Sequence, residues 1–162
     1  MLRDYYNPLV DSLLDANPKV AIAYIDSVLI RYPYEYQMAL KKGVGYYRID
    51  SIEKAIFFFE KAMEMRDEEY PQALQYKAWA LSDLKKYDEA IIQFEKASKL
   101  SNGYENELYI AETYELKENT KEAIKYYKLF LSNLESLNSN LQYWEKIRDV
   151  KKKIAALELL KK

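Results

Sequence analysis

The chain has no cysteine and no histidine, and its 162 residues include only three glycines and four prolines. The first two absences remove thiolate and imidazole metal ligands, cysteine nucleophiles, histidine general bases and disulfides. A chain without thiols is also indifferent to redox poise, so either compartment is open to it. With so little glycine and proline there is scant material for hairpin turns, whereas alanine, leucine, glutamate, lysine and tyrosine are plentiful, which favours an all-α protein. No apolar run reaches the roughly eighteen residues of a membrane span. The opening "MLRDYYNPLVDSLLDANP" is broken by acids and prolines, unlike a secretory signal. The expectation is a soluble chain without membrane insertion. A cytoplasmic location is favoured, and export or lipid anchoring stays open should an upstream signal have been removed.

Net charge is −1, which gives no global field for nucleic acid or an anionic membrane. The charge is uneven. Residues 1–137 carry 18 basic and 23 acidic side chains, and residues 138–162 carry 7 basic and 3 acidic, so an acidic body ends in a basic tail.

What the chain does have is a repeated phrase. "PKVAIAYIDSVLIR", "IEKAIFFFEKAMEM", "YDEAIIQFEKASKL" and "TKEAIKYYKLFLSN" place an Ala-Ile pair at Ala21, Ala55, Ala90 and Ala123, at spacings of 34, 35 and 33 residues. In the last three copies a large residue, Phe59, Phe94 or Tyr127, follows one turn later on the same face, and Ala62 and Ala97 repeat the small contact beyond it. A second amphipathic pattern precedes each of these copies, so the unit is a helical hairpin. Asp50 or Ser51, Asp88, and Asn119 or Thr120 are the expected starts of second helices, while Pro33, Pro71 and Asn102-Gly103 punctuate the joints.

Two helices recurring every 33 to 35 residues, with small, large and small residues in fixed order, resemble the tetratricopeptide repeat family. The resemblance runs through Gly43, Tyr46, Ala55, Phe59 and Ala62, then through Leu74, Ala78, Leu81, Tyr87, Ala90, Phe94 and Ala97. It continues through Ala111, Tyr114, Ala123 and Tyr127. It implies a right-handed superhelical solenoid forming one domain, with units near residues 2–35, 36–70, 71–103 and 104–137 and a capping helix near 140–160. The first unit departs from the pattern, because Pro8 is expected to interrupt its first helix. The family's unit-opening Trp is replaced by Ala39, Leu74 and Glu107, and its closing Pro by Asp67, Asn102 and Glu135.

In such solenoids the first helices line a concave groove, where partners bind. The resemblance places Gln37, Leu40, Lys41, Val44, Tyr47 and Arg48 there, then Gln72, Gln75, Tyr76, Trp79 and Asp83, and finally Glu105, Leu108, Tyr109 and Glu112. Tyrosine and tryptophan are effective binding anchors, although rings such as Tyr76 and Trp79 also serve as packing between repeats. One subclass of the family grips the terminal carboxylate of chaperones with converging basic and amide side chains. Its positions transfer here to Tyr6, Val10, Lys41, Gln72 and Tyr76, or one unit on to Leu40, Val44, Tyr76, Glu105 and Tyr109. Neither set supplies the converging cations a carboxylate needs. Pentatricopeptide repeats, which read RNA on a basic surface, are disfavoured by the acidic repeat region.

After Asn138-Ser139-Asn140, a further helix places Tyr143, Ile147, Val150, Ile154 and Leu157 along one seam. The expected role is a cap over the end of the array, and pairing with a second chain is the alternative. Lys151 to Lys153 read as a solvated face. No glycine-rich phosphate loop is present, and Asp67-Glu68-Glu69 lacks the alternating ligands of a calcium site. Glu112 and Glu115 carry no mark of an acid/base pair. The reading is therefore a non-catalytic protein-interaction module without cofactor or metal, a monomer that takes a protein or peptide partner in its groove. The alternatives are a homo-oligomeric assembly component and an accessory subunit of an exported or anchored complex.

Overall fold

The computed structural model describes residues 2–101, 104–136 and 143–159, and among these every regular element is an α-helix. They are α1 (Leu2–Ala16), α2 (Pro18–Arg31), α3 (Tyr36–Arg48), α4 (Ile52–Arg66), α5 (Pro71–Asp83), α6 (Tyr87–Leu100), α7 (Glu105–Leu116), α8 (Thr120–Ser136) and α9 (Trp144–Leu159). The joint expected at Asn102-Gly103 and the cap expected at Asn138-Ser139-Asn140 lie outside the described residues. Contacts divide the chain into two compact units, Met1–Lys86 and Tyr87–Lys162.

In the first unit each helix packs on the next from α1 to α5, and α3 also touches α1 and α5. The contact between α3 and α4 is the most extensive, and its chemistry explains why. Ala55 and Ala62 on α4 are fully buried, so nothing beyond a methyl group separates the helix backbones there. Phe59, one turn from each, is also fully buried and fills the space the two alanines leave on either side. Gly43 on α3 completes the fit. A Cβ at that position would lie 2.5 Å from Phe59 Cε1 and 3.2 Å from the Ala55 carbonyl oxygen. Ala21 and Ile25 on α2 repeat the small-then-large order.

The second unit uses the same code, with α6 packed on α7, α7 on α8 and α8 on α9. Ala90, Phe94 and Ala97 on α6, and Ala123 and Tyr127 on α8, are buried. The expected seam of α9 is occupied within this unit. Val150, Ile154 and Leu157 are buried in one core with Ile124, Phe130 and Leu134 of α8, and Tyr143 and Ile147 pack against it. In this arrangement α9 shields the apolar face of its own chain.

The turns inside the hairpins repeat as closely as the cores. Asp50, Lys85 and Glu118 each adopt a left-handed backbone with φ near 59°. In each case the next amide donates to the carbonyl five residues back: Ser51 to Tyr46 at 2.9 Å, Lys86 to Leu81 at 2.9 Å and Asn119 to Tyr114 at 2.9 Å. This closes the preceding helix with a glycine-type stop, although no glycine is present. Composition therefore concealed a turn that geometry makes three times over. Asp50 accordingly ends α3 instead of capping α4, and Ser51 makes no side-chain cap bond. Asn119 does cap α8, accepting from the Glu122 amide at 3.3 Å. The first hairpin differs: Asn17 caps α2 by accepting from the Val20 amide.

One expectation fails locally. The helix α1 runs through Pro8 without interruption. Proline removes a single amide donor and crowds the carbonyl four residues before it. Packing of the fully buried Val10 and the buried Leu14 in the first-unit core outweighs that loss.

Two outcomes follow from this packing. Gly43→Ala should lower stability by about 1–3 kcal/mol in denaturant titration, although alanine is the better helix former, because Phe59 has no room to yield. Lys85→Gly and Glu118→Gly should each raise it by about 0.5–1 kcal/mol, by relieving the left-handed backbone at exposed positions.

Candidate functional site

A groove of about 570 Å³ opens on the first helices of the first unit and lies wholly within that unit. One wall is α1, through Asn7, Asp11, Leu14 and Asp15. The floor is α3, through Gln37, Leu40, Lys41, Val44 and Arg48, and the far wall is Tyr70, Gln72 and Tyr76 at the start of α5. The spacing of four between residues 7, 11 and 15 sets those three side chains on one face of α1.

Each polar side chain of that face meets one from α3. Asn7 Nδ2 donates to Gln37 Oε1 at 3.1 Å, Lys41 Nζ donates to Asp11, and Arg48 Nη1 donates to Asp15 Oδ1 at 2.6 Å. The result is three polar rungs beside an apolar strip of Leu14, Leu40 and Val44. Asn7 Oδ1 is buried and has no hydrogen-bond partner among the described residues. On the other side of α3, Tyr47 donates its hydroxyl to Asp83 Oδ2 at 2.6 Å and so ties α3 to α5. Burial, reinforced by that bond and by the Asp83 charge, pushes the Tyr47 phenol well above its ordinary range.

Aromatic stacking fixes the α5 wall. Tyr76 stacks on Phe59 at 5.5 Å and meets Trp79 edge-on at 5.3 Å. Tyr70 meets Tyr36 edge-on at 5.4 Å beneath the Arg66 guanidinium, 4.9 Å from its ring. Tyr76 therefore has one face in the core and is exposed enough to line the groove, whereas Tyr47, Gln75 and Trp79 lie outside its lining.

The remaining expected groove residues belong to the second unit, on α7. Leu108 is buried in that unit's core. Tyr109 packs its ring against Phe94 at 5.5 Å. Glu112 lies 3.6 Å from Lys153 Nζ, which also approaches Glu115 Oε2 at 3.2 Å and the Tyr127 hydroxyl at 3.1 Å. Lys153 thus turns inward onto α7 and α8 while Lys151 and Lys152 remain exposed, so the run is not uniformly a solvated face. A carboxylate pair and the hydroxyl of a buried tyrosine attract this one lysine across the helix boundary. Glu105 is half-buried at the first turn of α7.

Sequence reasoning missed Asn7, Asp11, Leu14, Asp15 and Tyr70. The four-residue rhythm of the first three polar positions is present in the sequence, but a break at Pro8 would divide the helical face that carries them. Among the described residues no group of acidic side chains is arranged to hold a metal ion, and no helix is long and apolar enough to cross a membrane.

The tetratricopeptide repeat profile matches residues 71–104, which cover α5, α6 and the joint after them. That stretch is one repeat of the tetratricopeptide type. Solved structures of the same fold span nearly the whole chain. A crystal structure of MamA protein superposes with a TM-score of 0.69 at 20% identity, covering 99% of this chain and 93% of that one. MamA from Desulfovibrio magneticus RS-1, from residue 41 to its end, gives 0.68 at 15%, covering 96% and 94%. The APC/C hetero-tetramer Cut9-Hcn1 gives 0.66 at 18%, covering 91% of this chain but 30% of that one. These likenesses establish an all-α solenoid of the tetratricopeptide type. No curated protein sequence matches the chain.

Several tyrosine hydroxyls of this chain are hydrogen-bonded to carboxylates or to another phenol, and that gives it a characteristic pH response. Tyr126 is pushed up to about 12 by burial and by its bond to Glu95, and Tyr104 to about 12 by its bond with Tyr143 and by burial. The Tyr127 hydroxyl, donating to Glu115, is raised further by burial and by that bond. Below the unfolded value of about 10 these phenols are neutral in both states, so their contacts contribute fully. Above it the unfolded chain ionises first, and that contribution is lost as pH rises through the folded values. Thermal melting by circular dichroism should therefore show a steady Tm across neutral pH and a steep fall between about pH 10 and 12.

Proposed function

We propose that this chain is a non-catalytic protein-interaction module that holds a partner's peptide or helix in the groove formed by α1, α3 and α5. The observation that carries this reading is the groove itself: an apolar strip of Leu14, Leu40 and Val44, flanked by polar rungs and bordered by the Tyr76 and Tyr70 rings. A mixed lining of this kind suits a chain that offers alternating apolar and polar groups. It does not resemble a catalytic constellation, since each titratable group on the rungs is engaged with an opposite charge. The family match supports the same reading, because helical repeat arrays present extended binding surfaces.

Self-assembly through α9 is the weaker alternative. The residues it would need, Val150, Ile154 and Leu157 with Tyr143 and Ile147, are already packed in the core shared with α8.

The test is peptide selection by display on the immobilised protein, followed by affinity measurement against two variants. Gln72 is exposed on the groove wall, so Gln72→Trp fills the groove without touching the core. Lys121→Trp makes the same change at an exposed position on α8. Selected peptides should bind Gln72→Trp at least about tenfold more weakly and Lys121→Trp unchanged, tenfold being about 1.4 kcal/mol. Equal binding to all three proteins would contradict the groove as the binding face.

A further inference from the structure

We infer that the groove takes a peptide segment carrying two basic side chains, seated against Asp11 and Asp15 of α1. The inference rests on the proposed function and names the chemistry of its ligand. Its basis is the unequal exposure within the two ionic rungs. The Lys41 side chain is 17% exposed and its partner Asp11 is 59% exposed, and for Arg48 and Asp15 the values are 40% and 74%. The cations lie toward the floor and the carboxylates toward solvent, so an incoming ligand meets negative charge first.

Asp83 on α5 is also exposed, but it accepts from the Tyr47 hydroxyl outside the groove lining and takes no part in the rungs. Two outward carboxylates, Asp11 and Asp15, border a floor whose own cations are already engaged. Asn7 Oδ1, buried at the end of the α1 wall, has no hydrogen-bond partner among the described residues and adds a further acceptor. Carboxylates keep spare lone pairs after one bond, so a guanidinium or ammonium joining an existing rung makes a charge-assisted bond without breaking the rung. An anionic ligand would instead have to approach past the more exposed carboxylates to reach cations already engaged in the rungs.

The spacing sets the ligand's pattern. Positions four apart on a helix are displaced by about 6 Å along its axis. Alternate side chains of an extended peptide are about 6.6 Å apart. Basic residues at positions i and i+2 of an extended segment, with the intervening side chain facing away, therefore match Asp11 and Asp15.

The experiment uses fluorescein-labelled decapeptide pools titrated against the full chain by anisotropy. One pool carries arginine at two positions separated by one residue, a second carries glutamate at the same positions, and a third carries leucine there. The flanking positions are randomised over neutral residues. The arginine pool should bind at least about tenfold tighter than the glutamate pool, about 1.4 kcal/mol. Its affinity should fall as salt rises from about 50 to about 300 mM, as expected for partly screened charges. In the Asp11→Asn/Asp15→Asn variant, checked for fold by circular dichroism, the preference should disappear. Asp67 and Glu68 are exposed in the turn after α4 and lie outside the groove lining, so Asp67→Asn/Glu68→Gln serves as the charge control and should keep the preference. Arginine binding that survives in the groove variant, or glutamate binding that equals it, would overturn the inference. Leucine-pool binding lost in Gln72→Trp, without arginine preference, would overturn it while leaving the groove reading intact. If no pool binds, both fall.

Discussion

The close approach of paired helices at fully buried alanines is the constraint on which the rest of the molecule depends. Ala21, Ala55, Ala90 and Ala123 occupy the same place in successive second helices, and each has no exposed surface. Small side chains there bring the helices near enough for one large neighbour to fill the space: Ile25, Phe59, Phe94 or Tyr127. Close packing of this kind tolerates little change of volume, which is why Gly43 lies opposite Phe59 and why alanine recurs where a larger apolar residue would give more buried area.

The groove is a consequence of that packing. Because the second helices supply the alanines and the buried rings, the first helices of the first unit have one face left over. On α3 that face presents Gln37, Lys41 and Arg48 to the complementary side chains of α1. Exposed ion pairs contribute little to stability, on the order of 0–1 kcal/mol each. Their importance here is positional: they hold long side chains in place and set which charges face outward. Tyr76 links the two layers, with one face on Phe59 and its edge to Trp79. A ring so placed packs on the core through one face and lines the groove.

Much of the architecture was legible because a repeated sequence states the same physical requirement several times. One Ala-Ile pair means little, but four at spacings of 33 to 35 residues specify a period, a helix length and a packing face. The floor residues Leu40, Lys41, Val44 and Arg48 could be located for the same reason. Three features were not legible, each for a separate cause. The left-handed turns at Asp50, Lys85 and Glu118 use residues that do not advertise them. Pro8 suggested a break that tertiary packing overrides. The ties of Lys153 to Glu112, Glu115 and the buried Tyr127 join positions far apart in the chain, and no local pattern announces them.

Amide chemical-shift mapping of the isotope-labelled chain during titration with a selected peptide shows whether the groove is the binding face. Saturable shifts should concentrate on Gln37, Lys41, Val44, Gln72 and Tyr76, with the amides of α8 and α9 unmoved. Shifts confined to α9, or spread over the second helices with those groove amides silent, would contradict it.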